Sequence, residues 1–203
     1  AAKKGGGDAA ANFSLRLAKD KARAANMPKE NVERAIKRGA GELAGHKVEE
    51  LVLEGFGPGK VAIIIEAVTD NKNRTLPEIR TIFTKMGCQL GNAGFVAYQF
   101  KQQGVIRIQI KEDKEDLEEK AIESGAQDYR FEDDQLLILT DLLDLQKVKE
   151  YFDNAQIPSE SAKIEYLPTT TVDLSVADED RLMKLMDELD EREDVSEIYS
   201  NAA

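Results

Sequence analysis

Apolar positions along the chain change their period near residue 48. Before it, Leu15, Ala18, Ala22 and Ala25 recur at helical spacing, which predicts a helix from about Ala9 to Ala25 with Asp8 as its cap. Arg16, Lys19 and Arg23 recur at the same spacing on a different face. Pro28 fits the first turn of a second helix, where its missing N–H costs nothing. Val32, Ala35 and Ile36 form the buried side of that helix, and Gly39 and Gly41 end it. Glu30 and Glu33 lie near its positive end, and Arg34, Lys37 and Arg38 near its negative end. Ala1-Ala2-Lys3-Lys4 followed by Gly5-Gly6-Gly7 reads as a last helical turn and its glycine stop, so the natural chain is expected to start earlier. Two short helices bury little area and need a third, which such a preceding segment supplies.

After residue 48 the pattern turns to strands. Leu51–Phe56 and Val61–Val68, separated by Gly57-Pro58-Gly59, predict a hairpin. Arg74–Met86 predicts a helix with Leu76, Ile79, Ile82 and Phe83 inward, and Phe95–Phe100 a strand. A second unit then opens with strand Val105–Ile110. It continues through a helix at 115–124, strands Tyr129–Glu132 and Leu136–Thr140, a helix at 143–154 and strand Lys163–Leu167. The order β-α-β-β-α-β is the ferredoxin-like split motif. A strand at Thr171–Ser175, a helix at 178–191 and a strand at Val195–Tyr199 complete the earlier, unfinished unit.

The expected fold class is therefore α+β: an N-terminal helical domain plus two ferredoxin-like α/β sandwich domains, one inserted in the other. The expected domains are residues 1–47; 48–102 joined with 169–203; and the inserted 103–168.

Charge divides the chain at the same place. Residues 1–47 hold eleven Lys or Arg against five Asp or Glu, a net +6, while the whole chain of 203 residues is −11. A small positive module on a large negative body points to a phosphate-bearing partner gripped at one end. The apolar runs Val61–Ile65 and Leu136–Leu139 are far shorter than the ~20 residues of a membrane helix, so no membrane contact is expected. The single cysteine, Cys88, excludes an internal disulfide framework, suits a reducing cytoplasm, and reads as a small buried hydrophobe.

Several chemistries fail on their residues. Gly55-Phe-Gly-Pro-Gly-Lys60 lacks phosphate-loop spacing and leads into a strand, so it reads as a hairpin turn. His46 is the only histidine, which excludes a three-histidine zinc site and leaves a surface residue. The acidic runs 112–116 and 178–180 fall at helix starts, where acids suit the macrodipole; lining an acidic cleft or holding a weak divalent cation is the lesser reading. No nucleophile and base can be paired, so no catalytic residue, cofactor or metal is expected. The aromatics of Phe95-Val-Ala-Tyr-Gln-Phe100 lack the basic signature of an RNA-recognition strand and read as core. The candidate nucleic-acid contacts are Arg16, Lys19, Arg23, Lys29, Arg34, Lys37 and Arg38, with Glu30 and Glu33 placed to pair with Arg34 and Lys37.

The stretch Met27-Pro-Lys-Glu-Asn-Val-Glu-Arg-Ala-Ile-Lys-Arg-Gly39 closely resembles the signature of the YebC family. Glu54-Gly-Phe-Gly-Pro-Gly59, Thr69-Asp-Asn-Lys-Asn-Arg-Thr75 and Gly87 through Gly94 follow in register. The resemblance implies three domains around a central cavity and a cytoplasmic protein. Bacterial members are commonly described as probable transcriptional regulators that bind DNA. The mitochondrial branch activates translation, and bacterial relatives have been linked to stalled ribosomes. The resemblance also implies a basic segment ahead of residue 1. Two positions depart from the family pattern: Gly59-Lys60 stands for a glycine pair, and Cys88 for a glycine.

The expected function is a non-enzymatic, nucleic-acid-binding regulator acting on DNA through the basic helices. The alternative is a ribosome-associated translation factor that docks on ribosomal RNA through the same surface and relieves stalled translation. No helix shows Asn, Gln and Arg in the register of a known groove-reading motif, which favours phosphate contacts over base reading. No heptad or long apolar stripe calls for a dimer, so a monomer is expected.

Overall fold

The computed structural model describes residues 1–42, 48–111 and 113–203. His46, Lys47 and Glu112, which entered the expectations above, lie outside the described residues. The elements in chain order are α1 (Ala2–Gly5), α2 (Phe13–Ala24), α3 (Lys29–Gly39), β1 (Glu49–Phe56), β2 (Ala62–Thr69), α4 (Lys72–Lys85) and β3 (Gln89–Leu90). They continue with β4 (Phe100–Gln109), α5 (Lys114–Glu123), β5 (Asp128–Glu132), β6 (Gln135–Thr140), α6 (Leu145–Asn154), β7 (Ser161–Pro168), α7 (Val176–Asp190) and β8 (Val195–Ser200). The fold is α+β, with two four-stranded antiparallel sheets ordered β3-β1-β2-β8 and β5-β6-β4-β7. The second sheet lies wholly between β3 and β8 in sequence, so one sandwich is inserted in the other. The chain gathers into two compact units: the N-terminal helices with Gln102–Glu165, and the stretch up to Lys101 with Tyr166–Ala203.

In the second of these units β1 and β2 pair from Glu49↔Thr69 to Phe56↔Ala62, and β8 joins the far edge of β2. Ile79, Ile82 and Phe83 of α4 and Leu182, Leu185 and Leu189 of α7 pack over Val61, Ile63 and Ile65. Gly55 is required where β1 passes this layer, because an added Cβ would lie 2.6 Å from the Phe83 ring and 2.8 Å from the Gln89 carbonyl. On the other face Ala62, Ile64, Val96 and Phe100 form a smaller core with Phe56, Phe95, Tyr166 and Tyr199 against it. Gly57–Lys60 is a hairpin turn, with Gly59 and Lys60 both at positive φ.

In the other unit Ile106 and Ile108 of β4, Leu136 and Ile138 of β6, Leu117 and Ala121 of α5, and Val148 and Phe152 of α6 make the core. Phe13 and Leu17 of α2 pack against this cluster. The basic helices therefore rest on the inserted sandwich through a side of α2 that the apolar spacing did not single out.

Four sequence expectations change. The first helix begins at Phe13, because Asn12 accepts from the Leu15 N–H at 3.1 Å, while Asp8 accepts only from Ala10 in a local turn at 2.8 Å. Its expected stripe is replaced as well: Leu15 is buried, but Ala18 and Ala25 are exposed. Residues 95–99 form no strand, because Glu54 takes the N–H groups of Gly94, Val96 and Ala97 that a ladder would need. The strand foreseen at 171–175 shrinks to one bridge, Val172↔Ala202, since Ser175 serves as the cap of α7.

Candidate nucleic-acid interface

The helix α3 carries the signature stretch. Pro28 stands just ahead of it, with its carbonyl accepting from Asn31 at 2.9 Å and Val32 at 3.2 Å, rather than inside the first turn. Gly41, at φ 80°, is the left-handed stop, and Gly39 has a different task. A Cβ at Gly39 would lie 3.1 Å from the Ala2 side chain, so the glycine lets α1 approach closely. Val32 and Ile36 are half-buried and Ala35 is exposed, so the buried side is narrower than the sequence predicts.

At 100° per residue, Arg34, Lys37 and Arg38 fall on the side opposite Val32, Ile36 and Gly39. All three are exposed, and none makes an ion pair with an acid among the described residues. The pairing expected of Glu33 with Lys37 is replaced: Glu33 turns back to Lys29 at 3.8 Å. Glu30 lies exposed on the same side, and Asn31 is the one amide beside Arg34 and Arg38.

The cations of α2 are less free. Arg16 lies 3.4 Å from Glu150 of α6 and stacks over Phe13 at 5.6 Å, which ties α2 to the inserted sandwich. Arg23 pairs with Asp20 at 3.3 Å, and Lys19 is half-buried. The seven candidates thus divide into an open group on α3 and a group on α2 that is partly engaged in holding the structure.

Asn12 places these helices. It is buried, and its amide donates to the Gly6 carbonyl at 2.9 Å and the Ala1 carbonyl at 3.2 Å while its oxygen caps α2. The sequence hint was a capping residue four positions from the Asp8 candidate, immediately before Phe13.

Cys88 is half-buried beside the α4–α7 core; burial raises its thiol pKa against the pull of Arg181, which favours the protonated thiol. Among the described residues no group of three or more His, Cys, Asp or Glu side chains is placed to hold a metal ion. A groove of about 440 Å³ beside α7 is rimmed by Asp173, Glu179 and Asp187, which repel phosphate. No helix among the described residues is long and apolar enough to cross a membrane.

A basic helical segment attached to paired ferredoxin-like sheets, one nested in the other, defines a class of two-sheet α+β proteins with a cationic end. The chain belongs to the TACO1/YebC family: residues 1–42 match the TACO1/YebC protein N-terminal domain, and residues 48–202 the TACO1/YebC second and third domain. A probable transcriptional regulatory protein of Persephonella marina is 49% identical over 206 residues, covering 99% of this chain and 82% of that protein. One of Geobacter sulfurreducens is 46% identical over 201 residues, covering 99% and 81%. The crystal structure of a conserved hypothetical protein from Aquifex aeolicus superimposes with a TM-score of 0.92 at 41% identity, over 100% of this chain and 84% of that one.

Proposed function

We propose that this protein is a non-enzymatic regulator that binds nucleic acid, DNA in the first reading, through the outer side of α3. The observation that carries this is the exposed group Arg34, Lys37 and Arg38, with no acid paired to any of them among the described residues. Arginine clamps phosphate in two places at once, and cations on a capped helix lose little freedom on contact. Lys29, Lys19, Arg16 and Arg23 extend the contact along α3 and α2. The names of the relatives support a transcriptional role.

One observation supports a second reading. A side with three cations and only Asn31 to read a base edge grips phosphates without choosing a sequence. Ribosomal RNA offers such phosphates in fixed shapes, so a ribosome-bound translation factor uses the same surface. In either reading residues 1–47 are the contact module, and 48–102 with 169–203 and 103–168 are the sandwich domains of a cytoplasmic monomer.

Replacing Lys29, Arg34, Lys37 and Arg38 together by Ala tests the contact, since alanine preserves the helix. Binding to a DNA duplex in a gel-shift assay is expected to vanish with the melting transition unchanged. Undiminished binding removes α3 from the interface. Sedimentation of the parent protein with ribosomes, set against its specific-to-nonspecific ratio on DNA, separates the two readings.

A further inference from the structure

The turn between β3 and β4 holds one aromatic ring in water on a rigid mount. Glu54 is 5% exposed, and its carboxylate accepts from the N–H groups of Gly94, Val96 and Ala97 at 2.7, 2.7 and 2.8 Å. A charge removed from water and given several backbone donors fixes the peptide planes that supply them. On the other side of Tyr98, the Gln99 carbonyl accepts from the Thr169 N–H at 2.8 Å and its hydroxyl at 3.0 Å. The Gln99 side chain accepts from Asn201 at 3.0 Å, and the fully buried Asn201 accepts in turn from the Ala62 N–H at 2.7 Å.

Tyr98 sits between these two clamps and is 73% exposed. Its neighbours Val96 and Phe100 fill the core, and Phe95 packs on Phe56 with ring centroids 5.1 Å apart. The core reading of these aromatics thus holds for Phe95 and Phe100 and fails for Tyr98. Its ring stacks on no other described aromatic, and its hydroxyl accepts only a 3.3 Å bond from Gln99 beside it. The surroundings are unusual in charge. The chain has 39 acidic residues, yet residues 87–101, 166–172 and 198–203 include none, and the one carboxylate of the mount, Glu54, is buried and bonded to backbone N–H groups. Asn92, Lys101, Thr169 and Thr170, on the same segments, are exposed.

We propose that Tyr98 is a stacking platform for an unpaired nucleobase, a nucleic-acid contact additional to that of α3; the inference rests on the nucleic-acid reading given above. A polyanion is tolerated where the local segments expose no carboxylate, and every base offers a π-face to a ring already fixed in place. The Gln99 amide beside the Tyr98 hydroxyl suits a base edge or a sugar. The class of ligand is single-stranded or splayed-out DNA or RNA.

The chain has no tryptophan, so Tyr98→Trp introduces a sole reporter whose indole keeps the stacking surface. The expected result is quenching by a thymidine or uridine oligonucleotide and none by an abasic oligonucleotide of equal length. Tyr98→Ala is expected to weaken single-strand binding roughly 5- to 100-fold at unchanged salt slope, and Tyr98→Phe to restore it. The melting transition stays in place, because the ring is outside the core. Equal quenching by the abasic strand, or full affinity of Tyr98→Ala while the α3 variant loses binding, overturns the platform and leaves the α3 contact standing. A parent protein that binds neither duplex nor single strand overturns both. Capture of a protein in place of nucleic acid at Tyr98 also overturns it.

Discussion

Glu54 shows how one side chain reshapes a segment. Burial by itself raises the pKa of its carboxyl, but the N–H groups of Gly94, Val96, Ala97 and Phe95 outweigh burial and hold it below the usual value. Protonation therefore favours the unfolded chain. The stabilisation is complete above the unfolded pKa, about 4.3, and is lost as pH falls through the lower folded value. Asp194 behaves with the same sign. Burial raises it, and the Thr75 hydroxyl at 2.6 Å with Arg74 at 2.9 Å more than reverse that. The Thr69–Thr75 signature is thus absorbed into a polar lock, in which the Thr69 hydroxyl, 2.8 Å from that of Thr75, donates to it. Glu54→Gln is expected to cost about 2–4 kcal/mol at pH 7, from the loss of charged hydrogen bonds and the insertion of an amide N–H among donors. Its stability should fall less steeply than the parent's below about pH 4. Urea unfolding at pH 7 and at pH 3 measures both effects, and equal slopes with pH would remove Glu54 from the acid response.

At the scale of elements, α2 is held from two sides. Leu15 is buried on one of them, while Phe13 and Leu17 pack on the inserted sandwich. Asn12 joins the first helical turn to the start of α2 through three hydrogen bonds. Asn12→Ala removes a cap and leaves the Ala1 and Gly6 carbonyls without their donor. A loss of about 1–2 kcal/mol is expected, with proteolysis appearing first between Gly5 and Phe13. Helix α3 differs in kind: none of its residues is buried, so its cations can change without disturbing a core. That difference predicts separable effects. Asn12→Ala lowers both stability and binding, whereas the α3 charge variant lowers binding alone, as circular dichroism melts run alongside gel shifts will show.

At the scale of the whole molecule, the proposed contact requires a net −11 chain to meet a polyanion through its few exposed cations on α3. Four cations on α3 imply a slope of log K against log salt of about −3 to −4 on duplex DNA. Titration of binding between 50 and 200 mM salt measures this slope, and a value near zero would exclude phosphate contacts. Any contribution from Tyr98 adds affinity without steepening the slope, because stacking releases no counterions.

Much of this architecture is readable from residue order alone. The short apolar and β-branched runs locate Leu51–Phe56, Leu136–Thr140 and Val195–Tyr199, and the β-α-β-β-α-β order names the inserted sandwich, since strand runs and helix spacing are local properties. The segregation of charge and the stretch from Met27 to Gly39 likewise mark the cationic helix without coordinates. Other features depend on partners far away in the chain. Val96–Gln99 has the composition of a strand, and only Glu54, some forty residues earlier, takes the amides a strand needs. Asn12 outcompetes Asp8 because it also meets Gly6 and Ala1. Gly39 looks like a stop until Ala2 is seen against it. Tyr98 looks like Phe95 and Phe100 in sequence, and only packing turns it outward. Hydrophobic period reports where an element lies, while its buried side, capping, amide capture and exposure are settled by groups that meet only when the chain is folded.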